Sequence, residues 1–287
     1  MNMNSKYTRF RVFNMGENAI SMLYAADSSI KLIEARYNDN NKKKIQMEME
    51  MAGCRSVDSL HISSWNESRC IASELKNLLI DTNPTVIEIP AAEPKDENGV
   101  ECKKIINLFC NKSLFTEKFE AGPRTLVYPS KLDDFEYTDV ILFPLKKEEC
   151  ITGCVVKLFW LGRFSVLNAG LCSNNHFVQS LSDVLQGKKL DVLVVDKKRE
   201  HINFLNQEFV DKFQPAYIVE LGNEHSLYVR KDSSYEIRGL NSDILKDGDI
   251  IITSGSYKKE SNASIDPSSS ILDNEYTGIK QDNIVCS

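Results

Sequence analysis

The stretch Ser59-Leu-His-Ile-Ser-Ser-Trp-Asn-Glu-Ser-Arg-Cys70 decides how this chain is read. Leu60-His-Ile62 is apolar around one imidazole and reads as the end of a buried strand. A polar turn follows, and over residues 70–80 apolar residues recur at three- and four-residue spacing, the pattern of a helix. Within the turn, Ser64, Asn66, Ser68 and Arg69 offer no imidazole, thiolate or carboxylate, the groups from which zinc and manganese sites are built. His61 has no second His or carboxylate at ligand spacing, so it reads as a structural histidine.

The stretch resembles the metal-binding loop of metallo-β-lactamase-fold hydrolases. It is most similar to the loop in soluble relatives of the ComEC competence protein's hydrolase domain, which contains Ser-Trp-Asp-x-Asp-His-Cys. Aligned on Trp65 and Cys70, this chain places Ser64, Asn66, Ser68 and Arg69 at ligand positions. The resemblance repeats downstream in Val86-Ile-Glu-Ile-Pro90, Ala91-Ala-Glu-Pro94 and Asn98-Gly-Val-Glu-Cys-Lys-Lys-Ile-Ile106. Gly162-Arg-Phe-Ser-Val-Leu-Asn-Ala-Gly-Leu171 resembles the strand that ends in a metal-bridging Asp, and here that position is Leu171. Asp191-Val-Leu-Val-Val-Asp-Lys-Lys-Arg-Glu-His201 resembles the strand and loop carrying a His-His-Gly, with Lys197 and Lys198 at the two His positions. Covering roughly residues 7–255, the resemblance implies an α/β protein: an αββα sandwich of two mixed β-sheets flanked by helices. It also implies a degenerate metal site at Ser64, Asn66, Ser68, Arg69, Leu171, Lys197 and Lys198, with no catalytic residue, metal ligand or cofactor assigned.

Composition fits such a body: 287 residues, 42% hydrophobic and 26% charged, suffice for a large buried core. We read residues 1–255 as the folded domain and 256–287 as a polar tail, disordered or ordered against a neighbour. A net charge of −6 argues against nucleic-acid binding by bulk electrostatics, though a local basic groove stays open. No apolar run approaches the length of a membrane span, and the polar start Met-Asn-Met-Asn-Ser-Lys is no signal peptide, so the expectation is a cytoplasmic protein. The eight cysteines lack a Cys-x-x-Cys pair and read as thiols; Cys150-x-x-x-Cys154 has no second pair beside it. His176, His201 and His225 form no His-x-His pair.

Periodicity predicts strands over residues 8–14, 19–24, 30–35, 86–90, 139–145, 154–161, 164–168, 192–195, 216–221 and 249–253. Helices are predicted over 70–80, 99–110, 175–185 and 201–213, and residues 38–44 read as a polar turn with Lys42, Lys43 and Lys44 at its tip. Gly16-Glu-Asn18 reads as a hairpin turn. No Gly-x-Ser-x-Gly elbow, Walker A loop or Gly-x-Gly-x-x-Gly turn supplies another chemistry.

Arg69, Lys197 and Lys198 are the set with a functional reading, because the resemblance aligns them with a vacated cation site. As cations they could hold the phosphate of a nucleotide or nucleic acid, or they could pair with Glu67, Asp196 or Glu200 and seal the pocket. The expectation is a catalytically inactive protein acting as a binding or regulatory subunit of a larger bacterial assembly, by fold analogy one of phage defence. It implies a protein partner and no membrane. The alternatives are a divergent metal-dependent phosphodiesterase or nuclease, and a nucleic-acid-binding module using the basic cluster over residues 197–199.

Overall fold

The computed structural model describes residues 7–13, 15, 19–26, 29–90, 92–111, 124–125, 139–143, 155–161, 164–196, 202–221, 226–231, 234–238, 250–255 and 284–286. In chain order these form β1 (Tyr7–Val12), β2 (Met22–Ala26), β3 (Ser29–Ile33), α1 (Lys42–Met51), β4 (Ser59–His61), α2 (Ala72–Thr82), β5 (Val86–Glu88), α3 (Glu97–Cys110) and β6 (Arg124–Thr125). Then follow β7 (Val140–Phe143), β8 (Val156–Leu161), β9 (Phe164–Gly170), α4 (Val178–Leu185), β10 (Val192–Asp196), α5 (Gln207–Phe213), β11 (Tyr217–Leu221), β12 (Ser226–Lys231), β13 (Ser234–Arg238), β14 (Ile250–Gly255) and β15 (Ile284–Cys286).

Two mixed sheets carry the fold. The first runs in the order β15-β14-β1-β2-β3-β4-β5-β6, the second β13-β12-β11-β10-β9-β8-β7. Strands β3 to β6 pair in parallel, as β10 does with β9 and β11, and the remaining pairs are antiparallel.

Period two sorts each strand's side chains between two apolar layers. Leu23, Leu32, Leu60 and Ile87 face outward onto Ile45 and Met49 of α1, Leu75, Leu78 and Leu79 of α2, and Cys102, Ile106 and Phe109 of α3. Leu158, Leu167, Leu193 and Ile218 do the same on the second sheet, against Leu181 and Leu185 of α4 and Phe209 and Phe213 of α5. Between the sheets Phe10, Val12, Met22, Tyr24 and Ile33 meet Phe159, Phe164, Val166, Val192, Val194 and Val219. Each such side chain contributes about 1.5–3 kcal/mol on burial. Helix, sheet, sheet, helix is therefore the observed layer order, the αββα sandwich the sequence implied.

The differences from the predicted elements have local causes. Residues 42–44 open α1 rather than closing a turn, although Gln46-Met-Glu-Met-Glu-Met51 alternates like a strand. Lys, Gln, Met and Glu favour helix, and the buried set Ile45, Glu48 and Met49 follows helical spacing. Helix α5 starts at Gln207 rather than 201 because Asn206 caps it, accepting from Phe209 N at 2.9 Å. Strands β12 and β13 were not predicted. Ile284–Cys286 of the tail pair antiparallel with β14, and the Gly16-Glu-Asn18 turn lies outside the described residues. Cys70, Cys102 and Cys172 are buried thiols. Among the described residues no helix is long and apolar enough to cross a membrane.

Candidate functional site

The loop following β4 is held by backbone hydrogen bonds from four directions. Ile20 N donates to Ser68 O at 2.8 Å, Ala35 N to Arg69 O at 2.6 Å, Ile62 N to Glu88 O at 2.9 Å and Val155 N to Ser63 O at 2.7 Å. Its polar side chains turn back on its own backbone. Ser64 Oγ accepts from Asn66 N at 3.2 Å, and Asn66 Oδ1 accepts from Ser68 N at 2.9 Å. Trp65 Nε1 donates to Ala92 O at 2.8 Å, while Asn98 of α3 donates to Cys70 O at 2.8 Å and accepts from Ala72 N at 3.0 Å. The hydrogen bond with Cys102, then burial, keeps Cys70 a neutral thiol by raising its pKa.

Gly99 lets α3 approach this loop, since a Cβ there would lie 2.8 Å from Pro94 Cβ and 3.0 Å from Trp65 Cβ. Gly99→Ala is therefore expected to destabilise the protein by about 1–3 kcal/mol through overpacking, despite alanine's better helix propensity. A urea titration of the variant that matched or exceeded the parent would show that the loop yields at no cost.

Arg69 points inward. Its side chain is 1% exposed, and its Nε lies 3.7 Å from Oε1 of the fully buried Glu34. The same Nε donates to Ser63 Oγ at 3.1 Å, and Nη1 donates to Ser68 Oγ at 3.1 Å. Glu34 also accepts from Ser63 N at 3.0 Å, Ser63 Oγ at 2.5 Å and, across the sheet interface, Asn168 Nδ2 at 3.2 Å. Its backbone sits at φ 65, the left-handed region, where a residue with a Cβ is strained by roughly 1–2 kcal/mol.

The head of β9 closes this cluster. A Cβ built on Gly170, itself at φ +50, would lie 3.5 Å from Ser63 Oγ, 3.7 Å from Arg69 Nη2 and 3.8 Å from Asn168 Oδ1. The loop carrying Ser64, Asn66, Ser68 and Arg69 and the strand end before Leu171 thus converge, about 100 residues apart in sequence. Val195 of β10 pairs with Gly170, so the end of β10 runs beside the same point. Lys197 and Lys198 lie outside the described residues. Leu171 packs against the apolar layer under α4 and α5. A buried carboxylate beside Arg69 is Glu34, a residue outside the acidic set Glu67, Asp196 and Glu200, of which Glu200 lies outside the described residues.

A second charged cluster crosses the interface next to the first. His61 Nδ1 donates to Glu88 Oε2 at 3.0 Å, and that oxygen also accepts from Lys157 Nζ. Lys157 is 1% exposed, 3.7 Å from Asp139 Oδ2, with its ammonium 4.8 Å from the Phe159 ring centroid; Asp139 in turn pairs with Lys31. Burial alone would raise the Glu88 pKa, but the hydrogen bond from His61 and the charge of Lys157 outweigh it and hold the group at about 2. The ionised carboxylate accepts from Nδ1, and the buried Nε2 has no hydrogen-bond partner among the described residues. The partner expected of a structural His61 was backbone; the partner found is the Glu88 carboxylate.

A dication does not fit the residues that line this point. An arginine ion-paired to Glu34 stands beside it, and Ser64 and Asn66 spend their oxygens on the loop backbone. Among the described residues no three His, Cys, Asp or Glu side chains are grouped so as to hold a metal ion. The arrangement is a closed electrostatic clasp in which each carboxylate, Glu34 and Glu88, is matched by a buried cation from the same chain.

The class that fold and site define is an αββα sandwich whose loop after β4 is sealed by an internal ion pair. No protein-family model and no curated protein sequence matches the chain. The solved structures to which it is similar include several named as metallo-β-lactamases or for the metallo-β-lactamase fold. The metallo-β-lactamase-fold protein YhfI from Bacillus subtilis shares 10% identity at a TM-score of 0.45, covering 75% of this chain and 86% of that one. A diphosphatase of the PhnP family shares 12% identity at a TM-score of 0.45, covering 75% and 86%. The short form of human tRNase Z shares 12% identity at a TM-score of 0.44, covering 75% and 92%. At such identities the likeness is one of fold, and the layer order described above carries the fold assignment.

Proposed function

We propose that the protein is a catalytically silent metallo-β-lactamase-like body that acts by binding, as a subunit or regulator of a larger assembly. The observation that supports this reading is the Arg69–Glu34 pair: a buried guanidinium supplies positive charge from the chain itself at the loop where the resemblance calls for a metal ion. A metallohydrolase needs carboxylate and imidazole ligands to gather a dication and activate water, and this loop presents serine, asparagine and arginine.

Elemental analysis of protein purified without chelators tests the reading. The expected content is far below one transition metal per chain; about one zinc or manganese per chain, removed together with a phosphodiesterase activity, would establish the divergent hydrolase instead. Binding to nucleic acid that weakens steeply with salt would favour the nucleic-acid module.

A companion prediction concerns the loop alone. The variant Asn66→Asp, Ser68→Asp, Arg69→His is expected to gain no metal-dependent turnover, because the bridging position remains Leu171, a partly buried apolar side chain packed against the neighbouring core. Metal-dependent hydrolysis by that variant would show that the remaining ligands come from residues other than those aligned here.

A further inference from the structure

Asn168 holds a buried polar atom that the clasp leaves over. Its amide reaches across the sheet interface, where Nδ2 donates to Glu34 Oε1 at 3.2 Å. That bond fixes which way the amide faces, because an ionised carboxylate only accepts and the nitrogen must point toward it. Oδ1 is left at the other end of the amide. The residue is 1% exposed, and among the described residues this oxygen has no hydrogen-bond partner. A buried carbonyl oxygen is ordinarily matched by a protein group or by an ordered water. Gly170, two residues further along β9, leaves room beside it. The Cβ that a larger residue would carry there meets Ser63 Oγ at 3.5 Å, Arg69 Nη2 at 3.7 Å and Asn168 Oδ1 at 3.8 Å, all ordinary contact distances.

These three atoms specify what fits between them. Ser63 Oγ donates to Glu34 Oε1 and accepts from Arg69 Nε, so what it offers an occupant is its second lone pair. Asn168 Oδ1 likewise requires a donor, whereas Arg69 Nη2 is itself a donor. The occupant therefore donates twice and accepts once. Its charge is also set: a buried cation would stand against the guanidinium and a buried anion against the Glu34 carboxylate, and neither would have a counter-charge of its own. We propose that one water molecule is bound between the head of β9 and the loop after β4, donating to Asn168 Oδ1 and Ser63 Oγ and accepting from Arg69 Nη2. About three hydrogen bonds is the usual complement of a buried water. Through Asn168 and Glu34 this water extends the clasp from the first sheet into the second. The site holds whether or not the protein acts through a partner.

A crystal structure of the full chain at atomic resolution gives the first test. One isolated peak without anomalous signal is expected within hydrogen-bond distance of both Asn168 Oδ1 and Ser63 Oγ. No peak, or a protein group in its place, overturns the proposal alone. A transition metal at that point, identified by its anomalous scattering, overturns it together with the silent-body reading, so the two failures are distinguishable. Stability gives the second test. Gly170→Ala and Gly170→Ser introduce the same Cβ at the same φ of +50, and so the same left-handed strain, but only serine brings an O–H that can replace the displaced water at Asn168 Oδ1. Both variants are expected to be less stable than the parent. In urea titrations the unfolding equilibrium constant of Gly170→Ser is expected to be about ten-fold smaller than that of Gly170→Ala. Equal constants would mean that no donor is required beside Asn168 and would overturn the proposal. The crystallographic result on the parent chain decides the matter even where neither variant folds.

Discussion

Replacing Glu34 by Ala is expected to lower the free energy of unfolding by about 3–5 kcal/mol, the cost of stranding one member of a buried ion pair. The carboxylate is fully buried, and its loss removes the charge that Glu34 sets beside Arg69 and the acceptor it offers to Ser63 N and Asn168 Nδ2. Alanine carries a Cβ as glutamate does, so the left-handed backbone strain at this position is unchanged and the loss reports on the pair. The double variant Glu34→Met, Arg69→Met is expected to recover much of the loss, since a well-packed apolar pair replaces a buried ionic one at little cost. Urea unfolding of the two singles and the double measures the coupling. A Glu34→Ala protein within about 1 kcal/mol of the parent would show that water or another group reaches the Arg69 guanidinium.

Glu88 is expected to give the clearest pH dependence. Its pKa of about 2 lies below the usual glutamate value of 4.5, so ionised Glu88 favours the folded state. The stabilisation is complete above the unfolded pKa, is lost as pH falls toward the folded value, and amounts to on the order of 3 kcal/mol. Glu88→Gln should therefore be least stable relative to the parent near neutral pH, where the substitution also leaves the Lys157 ammonium without its nearest carboxylate. The difference should narrow steadily between about pH 4.5 and pH 2. A difference constant across that range would mean that Glu88 acts through shape and packing and not through its charge.

The sequence was legible where a segment's fate is decided locally. The strand, turn and helix of residues 59–82 follow from apolar spacing, and the absence of ligand chemistry in Ser64, Asn66, Ser68 and Arg69 follows from residue type. Helix α1 was missed because Gln46 to Met51 satisfies period two as well as it satisfies a helix. What selects the helix is distant: Glu48 takes Arg11 from β1 at 3.0 Å, and both side chains are nearly inaccessible to water.

Glu34 and the second clasp were not legible, for a reason visible in three strands. Lys31 in Ser-Ile-Lys-Leu-Ile, Glu88 in Val-Ile-Glu and Lys157 in Val-Lys-Leu-Phe-Trp-Leu each alternate with apolar neighbours. Alternation of that kind ordinarily marks a strand with one face toward solvent. A run of opposite charges at like positions in apolar strands was the available signal, but charge sign alone does not say which strands lie opposite one another.

What the sequence determined by itself, then, is the order of the elements other than α1, β6, β12, β13 and β15, and the chemical poverty of the loop after β4, because propensity, period and ligand chemistry are properties of neighbouring residues. Only the tertiary structure decided that Arg69 meets Glu34, that Lys157 meets Glu88, and that Ser63 comes to the head of β9. Stacking the two sheets took the few charged side chains beside that apolar layer away from water. Buried charges of one sign then required the other within a few ångströms, and the partners came from strands that no local pattern connects.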